Sequence, residues 1–350
     1  MNRALEEQAL TQIPEMLAHW LDVEPAQVHR EREKREIDLL VRVGTHRFAI
    51  EWKSAGTIAV INAAIKQLQD HAQTLHGGIV PIIAVPFMGP AGRELCEEQR
   101  ISWLDLSGNA HIVAPGLRIQ ILGNTNKFKQ RGRPKNLFAP KSSRIIRKLL
   151  LKPFHSFSQR ELANETRVNE ALVSRVVHEL EAKALIIREA SGAVKPKDPN
   201  LLLDAWHEAY SFRKHQIIEG FIAERSSDAI LQGLSKAFEK SGVNYAATGL
   251  AGAWLLTHFA NFRIVTFYLK SRPSKELLQQ IRFKEQDRGG NAWLVVPNDE
   301  DVFTGSAERE GIVTTHPLQV YLDLKGHPER AKEAAEAVRK EYLRWANHAG

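Results

Sequence analysis

The chain has 350 residues, of which 43% are hydrophobic and 25% charged. That balance excludes a disordered or fibrous protein and leaves room for two or three domains, each with its own core. Its only cysteine, Cys96, rules out an internal disulfide and any cysteine-based zinc site.

No apolar run approaches the ~20 residues of a membrane span, and the stretch 77–88 is short and broken by prolines. The opening Met-Asn-Arg-Ala-Leu-Glu-Glu lacks the basic-then-apolar pattern of a signal peptide. A cytoplasmic location with no membrane partner is therefore expected. The formal charge of +7 is unevenly spread, because residues 124–152 hold ten basic groups and no acid. A single-sign block of that kind is an electrostatic handle for a polyanion.

The first informative element is a hairpin. Residues 36–43 (Glu-Ile-Asp-Leu-Leu-Val-Arg-Val) and 46–53 (His-Arg-Phe-Ala-Ile-Glu-Trp-Lys) flank Gly44-Thr45. Gly at the first central position suits a two-residue type II′ turn, which pairs residues whose numbers sum to 89. Every large apolar group but Leu40 then falls on one face. The other face sets Asp38 opposite Glu51, with Lys53 two residues along. Carboxylates facing each other at about 4.5–5.5 Å repel, so a compensating positive charge is expected. Mg²⁺ or Mn²⁺ is one candidate, since such ions take hard oxygen ligands together with substrate phosphate. Lys53 would then assist an attacking water. The plainer alternative pairs Lys53 with Glu36 across the same register.

Residues 57–76 read as a helix with Ile58, Ile61, Ile65, Leu68 and Ala72 on one side. An apolar strand over 80–87 follows, then a helix over 90–100 opened by Pro90, then a strand over 101–106. These residues resemble the PD-(D/E)XK nuclease superfamily, whose core places an Asp at the end of one strand and (D/E)-x-K on the next. Ile37 stands where the Pro of that name would be. The resemblance covers residues 1–123 and implies a mixed-sheet, restriction endonuclease-like core. It implies that Asp38 and Glu51 bind the metal, that Lys53 assists the water, and that Gln67 on the following helix supports the site. An upstream acid would be Glu7 or Glu15.

Residues 124–141 form a basic connector containing Arg131-Gly132-Arg133-Pro134-Lys135. This pentapeptide resembles the core of an AT-hook, which lays arginines into a minor groove. A·T-rich tracts have a narrow groove of enhanced negative potential that attracts inserted arginine. A solvated linker between domains is the plainer reading.

Next, residues 143–151 suit a first helix, and Ser158-Gln159-Arg160-Glu161 has the form of a capping box opening a second. Asn169 can cap a third helix running to about residue 184, with Leu172, Val173, Val176, Val177 and Leu180 at core spacing. Asn169, Ala171, Ser174, Arg175 and His178 are left on its outward face. A basic hairpin follows, carrying Arg188, Lys195 and Lys197 around Ser191-Gly192. Over 142–213 this pattern resembles a winged helix-turn-helix, which implies a recognition helix in the major groove of double-stranded DNA and wing contacts to phosphate. Service as a protein-binding module is the alternative.

In the remainder, 214–350, a helix is expected over 221–240, strands over 263–269 and 292–296, and a helix over 328–345. The passages Thr248-Gly249-Leu250-Ala251-Gly252-Ala253 and His316-Pro317-Leu318-Gln319-Val320-Tyr321-Leu322-Asp323-Leu324-Lys325 resemble those of AbiEi-type antitoxins. The surrounding pattern is similar to a nucleotidyltransferase whose carboxylate-bearing strand has lost its carboxylates, since 263–268 carries none. That resemblance implies a non-catalytic α+β domain for binding or for homodimerisation, with a cognate toxin as partner. Gly249 and Gly252 are expected to serve tight helix packing, and His316-Pro317 to open a helix.

The expectation is an α/β multidomain protein. Its leading function is a DNA-binding, metal-dependent endonuclease hydrolysing phosphodiester bonds. The alternative is an AbiEi-type transcriptional regulator and antitoxin whose nuclease-like domain is inactive.

Overall fold

The structure, a computed structural model, describes residues 2–24, 27–31, 37–72, 78–128, 137–259, 261–286 and 289–345. It divides into two compact units, residues 1–136 with 180–185 and residues 137–179 with 186–350.

The first unit begins with helix α1 (Asn2–Leu21) and strands β1 (Val28–Glu31), β2 (Leu39–Val43) and β3 (His46–Trp52). Helix α2 (Ile58–Ala72), strand β4 (Ile79–Val85), helix α3 (Pro90–Glu98) and strands β5 (Ser102–Asp105), β6 (Ala110–Ala114) and β7 (Leu117–Ile121) complete it. Among the described residues the strands form one seven-stranded sheet in sequential order. The β3–β4 and β4–β5 pairs are parallel and the others antiparallel. Parallel neighbours need a crossover, which α2 and α3 supply.

The β2–β3 register has the predicted sum, from Val43 with His46 to Leu39 with Ile50. Gly44 takes a positive φ of 58° in the turn, a conformation without steric cost only for glycine. Leu39, Val41, Val43, Phe48, Ile50 and Trp52 pack into one core with Ala9, Ile13 and Leu17 of α1. A second core gathers Ile61, Ala64, Ile65 and Leu68 of α2 with Ile83, Val85, Cys96 and Trp103. The sheet is thus covered on both faces, and β3 is buried along Phe48–Trp52. The β6–β7 hairpin was not foreseen; its strands alternate buried and open residues.

In the second unit, α4 (Pro140–Leu151), α5 (Gln159–Thr166) and most of α6 (Glu170–Ala182) precede the two-stranded hairpin β8 (Ile186–Arg188) and β9 (Val194–Pro196). Helix α7 (Pro199–Ala209) leads into a larger sheet. Its elements are β10 (Gln216–Phe221), α8 (Ser227–Lys240), β11 (Tyr245–Thr248), α9 (Gly249–Thr257), β12 (Val265–Leu269) and α10 (Lys275–Gln280). Then come β13 (Lys284–Glu285), β14 (Ala292–Val296), β15 (Ala307–Arg309), β16 (Ile312–Thr314), α11 (Pro317–Asp323) and α12 (Ala331–Tyr342). The strand order is β13-β10-β14-β12-β11-β16-β15.

The helix expected from residue 221 is corrected. Phe221 ends a strand, and the helix begins at Ser227, where the side chain of Ser226 accepts the Ala229 N–H. The apolar pair Ile217-Ile218 belongs to the sheet, where it pairs with Val295 and Leu294.

Candidate nucleic-acid interface

The three-helix module has the local chemistry its sequence announces. Ser158 N–H donates to Glu161 Oε2 at 2.7 Å and Glu161 N–H donates to Ser158 Oγ at 3.2 Å, closing a capping box. Arg167 then adopts a left-handed φ of 54° and ends α5. Leu172 N–H donates to Asn169 Oδ1 at 2.8 Å, so Asn169 starts α6 as expected. Val173, Val176 and Val177 of α6 are buried, whereas Asn169, Ala171, Ser174, Arg175 and His178 are exposed. The outward face of α6 therefore carries amide, hydroxyl, guanidinium and imidazole groups that can meet base edges or phosphates. Reading the sequence did not single out Arg160 or Arg167. Both are exposed, one in the first turn of α5 and the other at its left-handed C-cap.

On the hairpin, Arg188 and Lys197 are exposed, and Arg188 donates to the Gly192 carbonyl at 3.1 Å. Lys195 is salt-bridged to Glu189 at 2.8 Å, and Ser156 Oγ donates to the same carboxylate at 2.7 Å. These two bonds hold Glu189 below the usual carboxylate range.

The basic block is smaller as a polyanion handle than its composition suggests. Arg144 pairs with Asp299 and Arg147 with Asp301, each at 2.8 Å, and Lys148 pairs with Glu165. Arg131, Arg133 and Lys135 lie outside the described residues.

In the first unit the predicted site residues are partly brought together. Lys53 Nζ donates to Glu51 and, at 3.1 Å, to Gln67 Oε1 on α2. Glu51 is buried. Asp38 does not face Glu51 within the ladder, because pairing stops at Leu39–Ile50. Its Oδ2 instead accepts the Trp52 N–H at 2.8 Å. The strand end thereby gains a partner for a backbone donor. Glu36, the other partner considered for Lys53, lies outside the described residues, and Lys53 finds its counter-ion on its own strand.

Two carboxylates and an amide are suitable donors for Mg²⁺, but the ammonium of Lys53 already engages Glu51. A metal there would have to displace it. Among the described residues no three or more His, Cys, Asp and Glu side chains converge as a metal site. Nor does any helix among them have the length and apolarity to cross a membrane.

Two strands from β3, Asp105 ends β5 fully buried. It accepts from Met88 N–H at 3.1 Å, from Asn109 N–H at 2.9 Å and from the Asn109 amide. Asn109 in turn exchanges hydrogen bonds with the Asn124 backbone at 2.9 and 3.1 Å. The start of the connector is thereby pinned to the end of the sheet where β3, β4 and β5 finish.

The larger sheet of the second unit encloses a sealed polar cage. Asp323 is fully buried. Its Oδ1 accepts from Tyr210, from Tyr268 at 2.9 Å and from Gln319 at 2.7 Å, and its Oδ2 accepts from Thr248. Burial pushes its carboxyl up to about 6, against the lowering effect of those four bonds. Asn298 N–H donates to His215 Nδ1 at 3.1 Å, so the proton of neutral His215 sits on Nε2 and is directed at Tyr210 Oη, 2.9 Å away. Burial, helped by Arg147, brings His215 down to about 4.

Thr266 and Tyr268, both fully buried, share one face of β12, and no residue of that strand carries a carboxylate. At Gly249 a Cβ would lie 3.3 Å from both His327 and Thr266, and at Gly252 it would lie 3.2 Å from Val320. The N-terminus of α9 is therefore packed shut, as expected. His316 Nδ1 accepts the Leu318 N–H at 3.1 Å and opens α11.

Residues 196–344, under half of the chain, match a protein family described as transcriptional regulator, AbiEi antitoxin, of type IV toxin–antitoxin systems. No curated protein matches the chain.

Proposed function

We propose that the chain is a DNA-binding transcriptional regulator of the antitoxin type. In this reading the α4–β9 module acts as a winged helix, with α6 in the major groove of a duplex. One observation carries it: the antitoxin-regulator match at 196–344 belongs to the same compact unit as a helical module whose third helix turns Asn169, Ser174, Arg175 and His178 to solvent. Arg188 and Lys197 would hold phosphates, and a cognate toxin is the second partner.

The test is binding of the intact protein to duplexes from the region upstream of its gene, by fluorescence anisotropy over a salt series. A preferred duplex should outcompete random DNA, and log K should fall with log salt at about −0.9 per phosphate contact. Arg175→Ala should cut discrimination at one base step by about 1–3 kcal/mol. Equal affinity for every duplex, or indifference to salt, would defeat the proposal.

A second reading is favoured by the convergence of Lys53 on Glu51 and Gln67: hydrolysis of the bound DNA with Mg²⁺ or Mn²⁺ at the hairpin. It predicts metal-dependent nicking that Asp38→Ala and Lys53→Ala abolish while DNA binding survives. Intact duplex, branched and single-stranded DNA after incubation with either metal would remove it.

A further inference from the structure

The arginines of α4 differ from the exposed cations of the module in what they touch. Arg147 is buried, with its side chain 4% exposed. Its Nε donates to Asp301, its Nη2 to Gln319 Oε1, and its guanidinium lies 5.2 Å from the Trp206 ring centroid. Gln319 continues inward, its amide donating to Asp323 and to Tyr210 Oη at 3.1 Å. Arg144 Nε straddles both oxygens of Asp299, at 2.8 and 3.1 Å, while its Nη1 reaches the carbonyl of Thr166 at 3.4 Å. Thr166 is the last residue of α5, immediately before the turn into α6. Helix α4 itself packs on α5, α7 and β9.

From these contacts we infer that Arg144 and Arg147 are positioning residues of the DNA reader, which fasten α4 and the α5–α6 turn to the loop at Asp299–Asp301 and so let the antitoxin-like sheet set the orientation of the recognition helix. Neither arginine touches DNA. The inference rests on the DNA-binding reading above. A planar, forked guanidinium suits the task, because it holds two acceptors at fixed angles where an ammonium would hold a point contact.

The consequence has an unusual sign. Asp299→Asn with Asp301→Asn removes two negative charges from a protein that binds a polyanion, and electrostatics alone would raise its affinity for all DNA. Positioning requires the opposite for the preferred duplex: its advantage over random DNA should fall about tenfold, the size expected from losing charged hydrogen bonds. Arg147→Gln and Arg147→Lys should both lower that advantage, with the salt slope unchanged.

The experiment is a salt-series titration of the full-length chain and these variants on preferred and random duplexes. Hydrogen exchange of the α4, α5 and α11 amides is read without DNA. Faster exchange at all three helices in Arg147→Gln, below its unfolding temperature, supports the inference. A salt slope reduced by about 0.9 in Arg147→Gln would make Arg147 a phosphate contact and overturn it. An unchanged preference ratio in the double Asn variant would overturn it as well. If the unmodified chain shows no preferred duplex, the DNA-binding reading fails, and exchange alone decides whether α4 is held by the 299–301 loop.

Discussion

Acidification from pH 7 to pH 5 should strip several kcal/mol from the stability of the second unit. Four histidines there, the buried His215 and His327 and the half-buried His207 and His316, are desolvated enough that each is pushed down to about 4 from an ordinary value of 6.5. A group whose folded value is depressed in this way is neutral in the fold and takes a proton first in the unfolded chain. Its contribution is complete above pH 6.5 and is lost as pH falls towards 4. At pH 5 the loss is about 2 kcal/mol per histidine. Asp323 works the other way. Its folded value is raised to about 6 from 3.8, so the folded state gains from protonation as pH falls, by about 1 kcal/mol at pH 5. The histidines win, and the net loss approaches the whole stability of an ordinary domain. Urea unfolding across a pH series, followed by circular dichroism, should show a midpoint that drops steeply below pH 6.5. A midpoint constant from pH 7 to pH 5 would mean that these imidazoles are hydrated.

Replacing Asp105 by Ala should cost the first unit about 3–5 kcal/mol. The carboxylate is fully buried and accepts from two backbone N–H groups and one side-chain amide. Removing it leaves those donors without their acceptor in a dry site, which is the expensive direction of change. Asp105→Asn should be milder, since one amide oxygen can still accept. Because Asn109 is the link to Asn124, the Ala variant should also release residues 122–128. Proteolytic cutting there, together with a lowered melting temperature, checks both halves. A variant as stable as the parent would show that water replaces the carboxylate.

Much of this was legible in the sequence wherever the causes are local. The Gly44-Thr45 turn fixes pairing from its own two residues, and alternation then assigns the faces, so the register followed. The capping box at Ser158, the Asn169 cap and Pro317 after His316 were readable for the same reason. What failed depended on distant partners. The bond from the Trp52 N–H to Asp38 could not be read from the hairpin pattern, which assigns faces but not side-chain partners. Arg144 and Arg147 looked like part of a polyanion handle, because the acids that neutralise them stand more than 150 residues away. The Asp323 cage draws on Tyr210 just after α7 and on β11, β12 and α11, and no short window contains it. Phe221 was drawn into the following helix because the apolar run before it fits either period.

The clamp on α4 bears on any attempt to study the three-helix module in isolation. A fragment ending at residue 213 would lose Asp299 and Asp301, leaving Arg144 and Arg147 without their acidic neighbours, while Arg147 keeps its place beside Trp206. Such a fragment would carry two uncompensated cations on the helical module. If the proposed DNA binding holds, those cations would attract any polyanion, and gel shifts of the fragment would report charge where the intact chain would report sequence.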